Sequence, residues 1–357
     1  MFGICTYVMN KEVEIHISNL GGLHYFGKVE GNMSEILSFD KFRLDLQDDD
    51  GNRFNLLDDI SFSIQQGHAV GVVGESGCGK SMTSLSVMRL LPPVAKAAGG
   101  SINFCGEDLM KKTEQEMYKV RGKQISMVFQ EPMTSLNPVL TIGFQIGEII
   151  RRHEPKIGKA ELRDRVIQLI ERVGIPNPES RLKNYPHQFS GGMRQRAMIA
   201  MAIACSPQLL IADEPTTALD VTIQAQVLDL MVRLKQDGSM MLITHNLGVV
   251  AETCDEVVVM YAGQIVEKGT TEEVFLHPAH PYTMDLLKSI PTLETERGEL
   301  FSIAGVVPMV KNFTKGCRFA PRCQYCTARC MEAAPQTTSI NASHSIACYL
   351  NEGGKTV

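Results

Sequence analysis

The chain has 357 residues, of which 44% are hydrophobic and 21% charged, with a formal net charge of −5 at pH 7. This composition is typical of a globular protein with room for two domains, and it excludes a disordered chain and a strongly basic nucleic-acid binder. No apolar run reaches the roughly 18 residues of a membrane helix. No secretory signal opens the chain either, so we expect a cytoplasmic protein.

The first regular pattern begins after Met33, and a native start at that residue remains open, with residues 1–35 as an N-terminal extension. Alternating apolar and polar residues predict a strand at 36–46, and a turn at 48–51 leads to a returning strand at 60–64. Short apolar runs then predict buried parallel strands. These runs lie at 69–74, 125–129, 209–213, 241–244 and 257–261.

Between the second and third of these runs lies a mostly helical insert, at about 131–205. Its clearest helix has one apolar face, because apolar residues recur there at spacings of three and four. They are Leu162, Val166, Leu169, Ile170 and Val173. From about residue 271 the sequence is richer in Pro and Cys, which predicts a first domain at 36–270 and a second at 271–357.

The segment GESGCGKS at 74–81 matches the phosphate-binding loop G-x-x-x-x-G-K-[ST], directly after a predicted strand and before a helical run. Glycines let backbone amides turn around phosphates, and the helix N-terminus attracts the anion. Lys80 should reach the β- and γ-phosphates, and Ser81 should bind Mg²⁺. The expected nucleotide-binding residues here are Gly74, Glu75, Ser76, Gly77, Cys78, Gly79, Lys80, Ser81 and Met82.

The run LLIADE at 209–214 ends an apolar strand with two adjacent carboxylates, which are costly there unless they are used. Asp213 suits the Mg²⁺ shell, directly or through water. Glu214 suits the positioning of an attacking water, which phosphoryl transfer requires. Behind a phosphate loop, the pair therefore predicts a hydrolytic site.

The segment FSGGMRQR at 189–196 resembles the signature of ABC transporter ATPases, usually LSGGQ, with Met193 in place of Gln. The resemblance covers about residues 36–270. It implies a P-loop α/β core with a helical signature subdomain, which binds ATP and Mg²⁺ and hydrolyses ATP. It also implies a signature site for the γ-phosphate held by a partner subunit, formed by Ser190, Gly191, Gly192 and Met193.

The other landmarks of this family occur in the usual order. The resemblance implies that Gln130 is the Q-loop glutamine and a further Mg²⁺ ligand. It also implies that 218–220 is the D-loop, with Asp220 among the nucleotide-binding residues, and that His245 is the switch histidine. The resemblance implies a catalytic set of Glu214, His245, Gln130 and Lys80. An aromatic side chain commonly stacks on adenine in this family, and Phe54 and Phe42 both remain open for that role.

Two further segments resemble the ATPases of oligopeptide, dipeptide and nickel importers. The first, at 130–138, contacts the membrane subunits in that family, and the second, at 277–291, begins a C-terminal extension. The resemblance implies import of di- or oligopeptides, with a paralogous ATPase, two permeases and an external binding protein, at the cytoplasmic face of the membrane. Nickel, an antimicrobial peptide or another small solute remain open as cargo. DNA-repair and translation ATPases share the signature, but this chain lacks their long coiled-coil insert or second ATPase core.

Five of the ten cysteines fall within 317–348, which indicates a metal site. The segment GCRFAPRC at 316–323 resembles a motif of the same importer ATPases, whose members can carry a four-iron, four-sulfur (4Fe–4S) cluster. That resemblance implies Cys317, Cys323, Cys330 and Cys348 as ligands in a small Cys-rich C-terminal domain. Cys326 is surplus to the motif, and its short spacing from Cys323 also suits zinc. Zn²⁺ and metal-free buried cysteines therefore remain open.

Overall fold

The computed structural model describes residues 5–9, 12–16, 34–216, 220–235, 238–290 and 301–351. The strands in these residues are β1 (Cys5–Met9), β2 (Glu12–His16), β3 (Glu35–Gln47), β4 (Arg53–Gln65), β5 (Ala69–Val73), β6 (Ala95–Phe104), β7 (Glu107–Asp108), β8 (Ile125–Val128), β9 (Leu209–Asp213), β10 (Ser239–Thr244), β11 (Glu256–Tyr261), β12 (Gln264–Thr270), β13 (Thr338–Ser339) and β14 (Ser345–Ile346).

The helices in the same residues are α1 (Lys80–Met88), α2 (Glu114–Val120), α3 (Pro132–Ser135), α4 (Ile142–His153), α5 (Lys159–Arg172), α6 (Pro178–Arg181), α7 (Gly191–Ala202), α8 (Val221–Lys235), α9 (Leu247–Thr253), α10 (Thr271–Leu276), α11 (Pro281–Lys288) and α12 (Ala328–Glu332). Single 3₁₀ turns lie at Leu109–Lys111, Pro186–Gln188, Val310–Asn312, Ala320–Arg322 and Tyr349–Asn351.

An eight-stranded sheet, in the order β13-β14-β12-β11-β5-β10-β9-β8, forms the centre of the fold. Strands β11, β5, β10, β9 and β8 are parallel, and the pairs that involve β12, β13 and β14 are antiparallel. Every residue of β5, β9 and β10 is buried, which explains why these strands appear in the sequence as uninterrupted apolar runs. The carboxyl ends of the parallel strands therefore meet at one edge, where a ligand site is expected.

Two hydrophobic cores lie on opposite faces of this sheet, because successive side chains of a strand point to opposite faces. Val70 and Val72 of β5 pack with residues of β3, β4 and β6, which belong to a separate four-stranded antiparallel sheet. Ala69 and Val73 pack in the other core, with α4, α5, α7 and α8. The phosphate loop that follows β5 is thus held from both sides of the sheet.

The helices α4, α5 and α7 of the insert pack within the core that covers one face of the central sheet. The predicted apolar face of α5 is confirmed: Val166, Leu169 and Ile170 are buried, Val173 follows them into the core, and Leu162 packs at its margin. Thr141 caps α4 by accepting the Phe144 N–H at 3.3 Å. Side-chain caps satisfy amides that a helix start leaves without partners.

The strands predicted from apolar runs are confirmed within one or two residues. The strand predicted at 60–64 extends much further back, since β4 begins at Arg53. Strand β6 was not predicted, because it contains the pair Gly99-Gly100 and is largely exposed in its first half. A hairpin of β1 and β2 lies within the N-terminal extension, where we predicted no element; the rest of residues 1–33 lies outside the described residues.

The described C-terminal residues fold back onto the central sheet. Strand β14 pairs with β12, and the rings of Tyr261, Tyr282 and Phe319 form a buried aromatic cluster with centroids 4.7–5.3 Å apart. Each such pair contributes about 0.5–1.5 kcal/mol beyond simple burial. The cluster fixes α11 and the segment around Phe319 beside the carboxyl ends of β5 and β11.

We predict that Gly263→Ala destabilises the fold by about 3 kcal/mol or more, because overpacking adds to backbone strain. Gly263 has a φ of 81°, and an added Cβ would lie 1.6 Å from the Leu56 carbonyl oxygen. Gly67→Ala is the matched control, since Gly67 has a φ of 79° and open space around its Cβ position. Urea unfolding should show a clearly larger decrease in the free energy of unfolding for Gly263→Ala than for Gly67→Ala. Equal decreases in the two variants would contradict this packing.

Candidate nucleotide site

The phosphate loop joins β5 to α1 through three glycines in the left-handed region. Gly74, Gly77 and Gly79 have φ values of 147°, 83° and 102°. A Cβ at Gly74 would lie 2.2 Å from the Met260 carbonyl oxygen on β11, so a larger residue does not fit. This backbone ends at the N-terminus of α1, where a helix attracts an anion.

Lys80 is the first residue of α1, and its side chain is only 4% exposed. Its Nζ donates to the carbonyl oxygens of Gly74 at 2.7 Å and Glu75 at 3.1 Å. It also lies 4.0 Å from Glu214 Oε1. The ammonium group is therefore held inside the loop, where a phosphate would sit.

Ser81 and Asp213, predicted as Mg²⁺ ligands, lie in contact. Ser81 Oγ donates to Asp213 Oδ1 at 3.0 Å, and Ser84 Oγ lies 3.5 Å from Asp213 Oδ2. Burial at the end of β9 raises the pKa of Asp213, because the carboxylate loses water. Hydroxyl and carboxylate oxygens are ligands that Mg²⁺ prefers, so this pair fits such an ion.

Glu214 brings the four predicted catalytic residues together. Its carboxylate lies 3.1 Å from Gln130 Nε2, 3.5 Å from His245 Nδ1 and 4.0 Å from Lys80 Nζ. Its backbone has a φ of 45°, which is uncommon for a non-glycine residue, and its N–H donates to the Ile243 carbonyl oxygen at 2.8 Å. Such a conformation persists only where the surroundings enforce it, which is typical of functional sites.

The Glu214–His245 pair is open to solvent on the His245 side. The Glu214 side chain is 11% exposed, while His245 is 59% exposed and lies at the open side of the pair. Gln130 donates its amide hydrogen to Glu214, which leaves its amide oxygen as an acceptor. A carboxylate surrounded by fixed donors can orient a water molecule for attack on a phosphate.

The signature residues lie at the start of α7. Ser190 caps this helix, since its Oγ accepts the Met193 N–H at 3.3 Å, and both Ser190 and Gly191 are exposed. No hydrogen bond or ion pair between described residues joins Ser190 to Lys80 or Glu214. The N-terminus of α7 is therefore exposed at the surface of the chain.

The predicted D-loop is described only at Asp220, because Ala218 and Leu219 lie outside the described residues. Asp220 is exposed, and its Oδ1 accepts the Ile223 N–H at 3.0 Å at the start of α8. Its position is that of a helix cap. The contact expected between the D-loop and a nucleotide therefore stays a prediction.

The alternative in which Phe42 stacks on adenine is wrong, because Phe42 is fully buried and packs edge-on against Phe39. Phe54 lies in β4 and is half-buried, so it stays partly accessible for this role.

Cys78, in the phosphate loop, is fully buried, and that burial raises the pKa of its thiol, which favours an unreactive residue. The Cys78 side chain therefore packs inside the loop, with its Sγ 4.0 Å from Lys80 Nζ.

Sequence reasoning missed two residues of the C-terminal region that contact the phosphate loop. The Glu75 N–H donates to Tyr282 Oη at 2.8 Å. Arg322 Nη1 and Nη2 donate to the two carboxylate oxygens of Glu75 at 2.7 and 3.0 Å. Tyr282 lies in the segment 277–291 and Arg322 in the segment 316–323, but neither segment contains a pattern that indicates a partner more than 200 residues earlier in the chain.

Four C-terminal cysteines line one small cavity of about 20 Å³. They are Cys317, Cys323, Cys330 and Cys348. Burial raises the pKa of Cys317 and of Cys323 to about 11 in each case. Cys326 is exposed and lies outside the lining. Among the described residues, no group of three or more His, Cys, Asp or Glu is gathered closely enough to hold a metal ion.

His280 lines the same cavity and carries an unused polar atom. Its Nδ1 accepts the Tyr282 N–H at 3.0 Å, so the ring hydrogen lies on Nε2. This Nε2 is buried and has no hydrogen-bond partner. Burial lowers the pKa of His280 to about 4, which keeps the ring neutral.

None of the helices in the described ranges is both long and apolar enough to cross a membrane. The exposed large apolar side chains are instead scattered over several elements. Val139, Phe144 and Val306 are examples. Single exposed apolar residues are normal on a folded protein.

Comparison with known proteins confirms the resemblance inferred from the motifs. The ABC transporter family profile matches residues 57–217, and the oligopeptide/dipeptide transporter C-terminal region matches residues 266–330. The chain is 51% identical over 296 residues to the dipeptide transport ATP-binding protein DppD of Bacillus subtilis, covering 82% of this chain and 88% of that protein. It is 46% identical over 324 residues to DppD of Escherichia coli, covering 90% and 98%.

Among solved structures, the fold is similar to the ATP-binding cassette MJ0796, in a dimer bound to ADP and Pi. The TM-score is 0.59 at 22% identity, covering 66% of this chain and 98% of that chain. This likeness confirms the expected ABC ATPase fold. The chain belongs to the ABC transporter ATP-binding proteins, in the group that carries the oligopeptide/dipeptide transporter C-terminal region.

Proposed function

We propose that this chain hydrolyses ATP to drive the import of di- or oligopeptides through an ABC transporter. The observation that carries the hydrolytic part is the convergence of Gln130, His245 and Lys80 on Glu214. The relatives at about half identity are named as dipeptide or oligopeptide transport proteins, which supports peptides as the cargo. Nickel or another small solute would be the alternative cargo of a related importer.

Each residue of the site has a proposed role. Lys80 and the loop 74–82 hold the phosphates, while Ser81, Asp213 and Gln130 supply oxygen ligands for Mg²⁺. When bound, Mg²⁺ would neutralise charge on the phosphates. Glu214 orients the attacking water, and His245, at the open side of the same carboxylate, donates toward the γ-phosphate.

We infer that the chain works as one of two ATPase subunits. The exposed start of α7 supports this inference, because Ser190 and Gly191 present a helix N-terminus, which attracts anions, at the surface where a partner subunit can reach it. In the pair, the signature of one subunit covers the phosphate loop of the other, so that two ATP molecules lie at the interface. A paralogous ATPase is the proposed partner.

Two permease subunits and an external binding protein complete the proposed assembly, which places this chain at the cytoplasmic face of the membrane. A cleft of about 450 Å³ lies beside the segment 130–138 and supports a permease contact. Its lining includes Phe129, which directly follows β8, with Glu148 and Arg152 of α4 and Met201 of α7. Phe129 in the lining directly precedes Gln130, which donates to Glu214. A permease bound in the cleft would therefore lie close to the Glu214 site.

We propose residues 271–357 as a C-terminal domain whose four cavity cysteines hold a 4Fe–4S cluster, with Zn²⁺ as the alternative. Four thiols line one cavity, and the buried His280 Nε2–H beside them has no acceptor among the described residues, which supports a sulfur-rich group there. Binding would draw the thiols closer together than they lie in the described residues. Hydrogen bonds to sulfur tune such clusters. Cys326, exposed outside the lining, remains the alternative ligand.

Glu214→Gln should slow ATP turnover by about a hundredfold or more, a typical loss when a group acting on the transition state is removed. ATP binding should persist, because Lys80 and the glycine loop are untouched. Turnover is measured in the assembled complex, and ATP binding with a fluorescent analogue. Glu252→Gln, at an exposed position of α9, is the matched control and should behave like wild type. Wild-type turnover in Glu214→Gln would remove Glu214 from this role.

The purified chain alone should hydrolyse ATP about a hundredfold more slowly than the complete assembly, because its phosphate loop lacks donors from a partner signature. Turnover is compared for the chain alone, with the permeases, and with the permeases plus the paralogous ATPase. Only the last mixture should show turnover stimulated by peptide. Full stimulated turnover without a second ATPase would refute the pairing.

Anaerobic purification should give a brown protein with iron and sulfide, because thiolate-to-iron charge transfer absorbs visible light whereas zinc is colourless. Cys330→Ser should lose the iron. Cys326→Ser is the matched control and should keep it, since this thiol lies outside the cavity. A colourless protein with stoichiometric zinc would overturn the cluster, and iron retained in Cys330→Ser but lost in Cys326→Ser would reassign the ligand.

A further inference from the structure

The strongest contact between the C-terminal region and the nucleotide site is the ion pair of Arg322 and Glu75. Two guanidinium nitrogens donate to two carboxylate oxygens, at 2.7 and 3.0 Å, and the Arg322 side chain is only 6% exposed. Paired, bidentate contacts of this kind are among the strongest hydrogen bonds in proteins. Glu75 is the second residue of the phosphate loop, so the pair acts on the loop itself.

The position of the guanidinium is set by the C-terminal region. Its remaining donors reach the carbonyl oxygens of Ala304 at 2.8 Å, Ile303 at 3.2 Å and Gly305 at 3.4 Å. It also lies 3.3 Å from Tyr261 Oη. With all these contacts made, Arg322 has little freedom to follow Glu75 if the loop moves.

Every polar group of Glu75 is engaged, on two sides. Its carboxylate pairs with Arg322 and its N–H donates to Tyr282 Oη, so both contacts come from the C-terminal region. Its carbonyl oxygen accepts from Lys80 Nζ at 3.1 Å. A short path of hydrogen bonds therefore runs from Arg322 through Glu75 to the lysine expected to hold the phosphates.

We propose that Arg322 is a positioning residue for ATP, through which the C-terminal region sets the nucleotide affinity of the phosphate loop. Two physical effects act together. The pair fixes the first turn of the loop, and it neutralises a carboxylate that would otherwise repel the triphosphate across a short distance.

The same segment connects the nucleotide site to the cysteine cavity. Arg322 directly precedes Cys323, which lines that cavity, and the 3₁₀ turn Ala320–Arg322 lies between Cys317 and Cys323. A change in the cavity that moves this turn also moves the guanidinium. The role of Arg322 holds whichever group occupies the cavity, so its test is separate from the test of the cluster.

Arg322→Gln should raise the dissociation constant for ATP about tenfold, which corresponds to losing one charge-assisted contact. Binding is measured by titration of the full chain with a fluorescent ATP analogue, and thermal unfolding of the same samples is recorded. Lys311→Gln is the control, because it removes an exposed positive charge from the same region. Wild-type affinity in a folded Arg322→Gln protein would overturn the proposal.

A double-mutant cycle distinguishes positioning through Glu75 from a general loss of structure. In a Glu75→Gln background, Arg322→Gln should lower ATP affinity by less than about twofold, because the effects of substituting two interacting residues do not add. The same tenfold loss in both backgrounds would show that Arg322 acts elsewhere. If Arg322→Gln fails to fold, Arg322→Lys keeps the charge without the planar fork and should bind ATP more weakly than wild type. An affinity unchanged from wild type would then refute the bidentate role.

Discussion

The carboxylate of Glu214 is the constraint on which the site depends. A strand end places it beside Asp213, a positive φ turns it toward the loop, and Gln130, His245 and Lys80 approach it from three different elements. Each element is held by a different part of the fold: Lys80 begins α1, Gln130 follows β8, and His245 follows β10. The parallel sheet is therefore what makes the constellation possible, because it gathers these strand ends at one edge.

The sequence predicted the five parallel strands of the central sheet, and the polar residues that it singled out after them lie together around Glu214. The strands β5, β9 and β10 are buried on both faces, so their apolar runs are unambiguous, and the polar residues directly after them could be assigned to the site. Strand β6 could not be predicted, because its Ala-Gly stretch has low strand propensity and it is held by pairing with β3. Long-range pairing of this kind leaves no local pattern.

Contacts between residues far apart in the chain could not be predicted from the sequence either. Arg322 and Tyr282 reach Glu75 over more than 200 residues, and neither the charge nor the spacing of these residues specifies a partner. The burial of Phe42 was missed because an aromatic residue in a twisted strand can face either the core or the surface. Apolar periodicity identifies elements, but the identity of a tertiary neighbour depends on how the elements pack.

The most direct test of the account is a double-mutant cycle on ATP turnover for Glu214→Gln and His245→Ala in the assembled complex. Residues that act as one unit are strongly non-additive, since removing either member already removes their joint effect. The account predicts that the double variant turns over within a few-fold of the slower single variant. Losses that multiply, so that the double variant falls by the product of the two single effects, would contradict the convergence of these residues on one carboxylate.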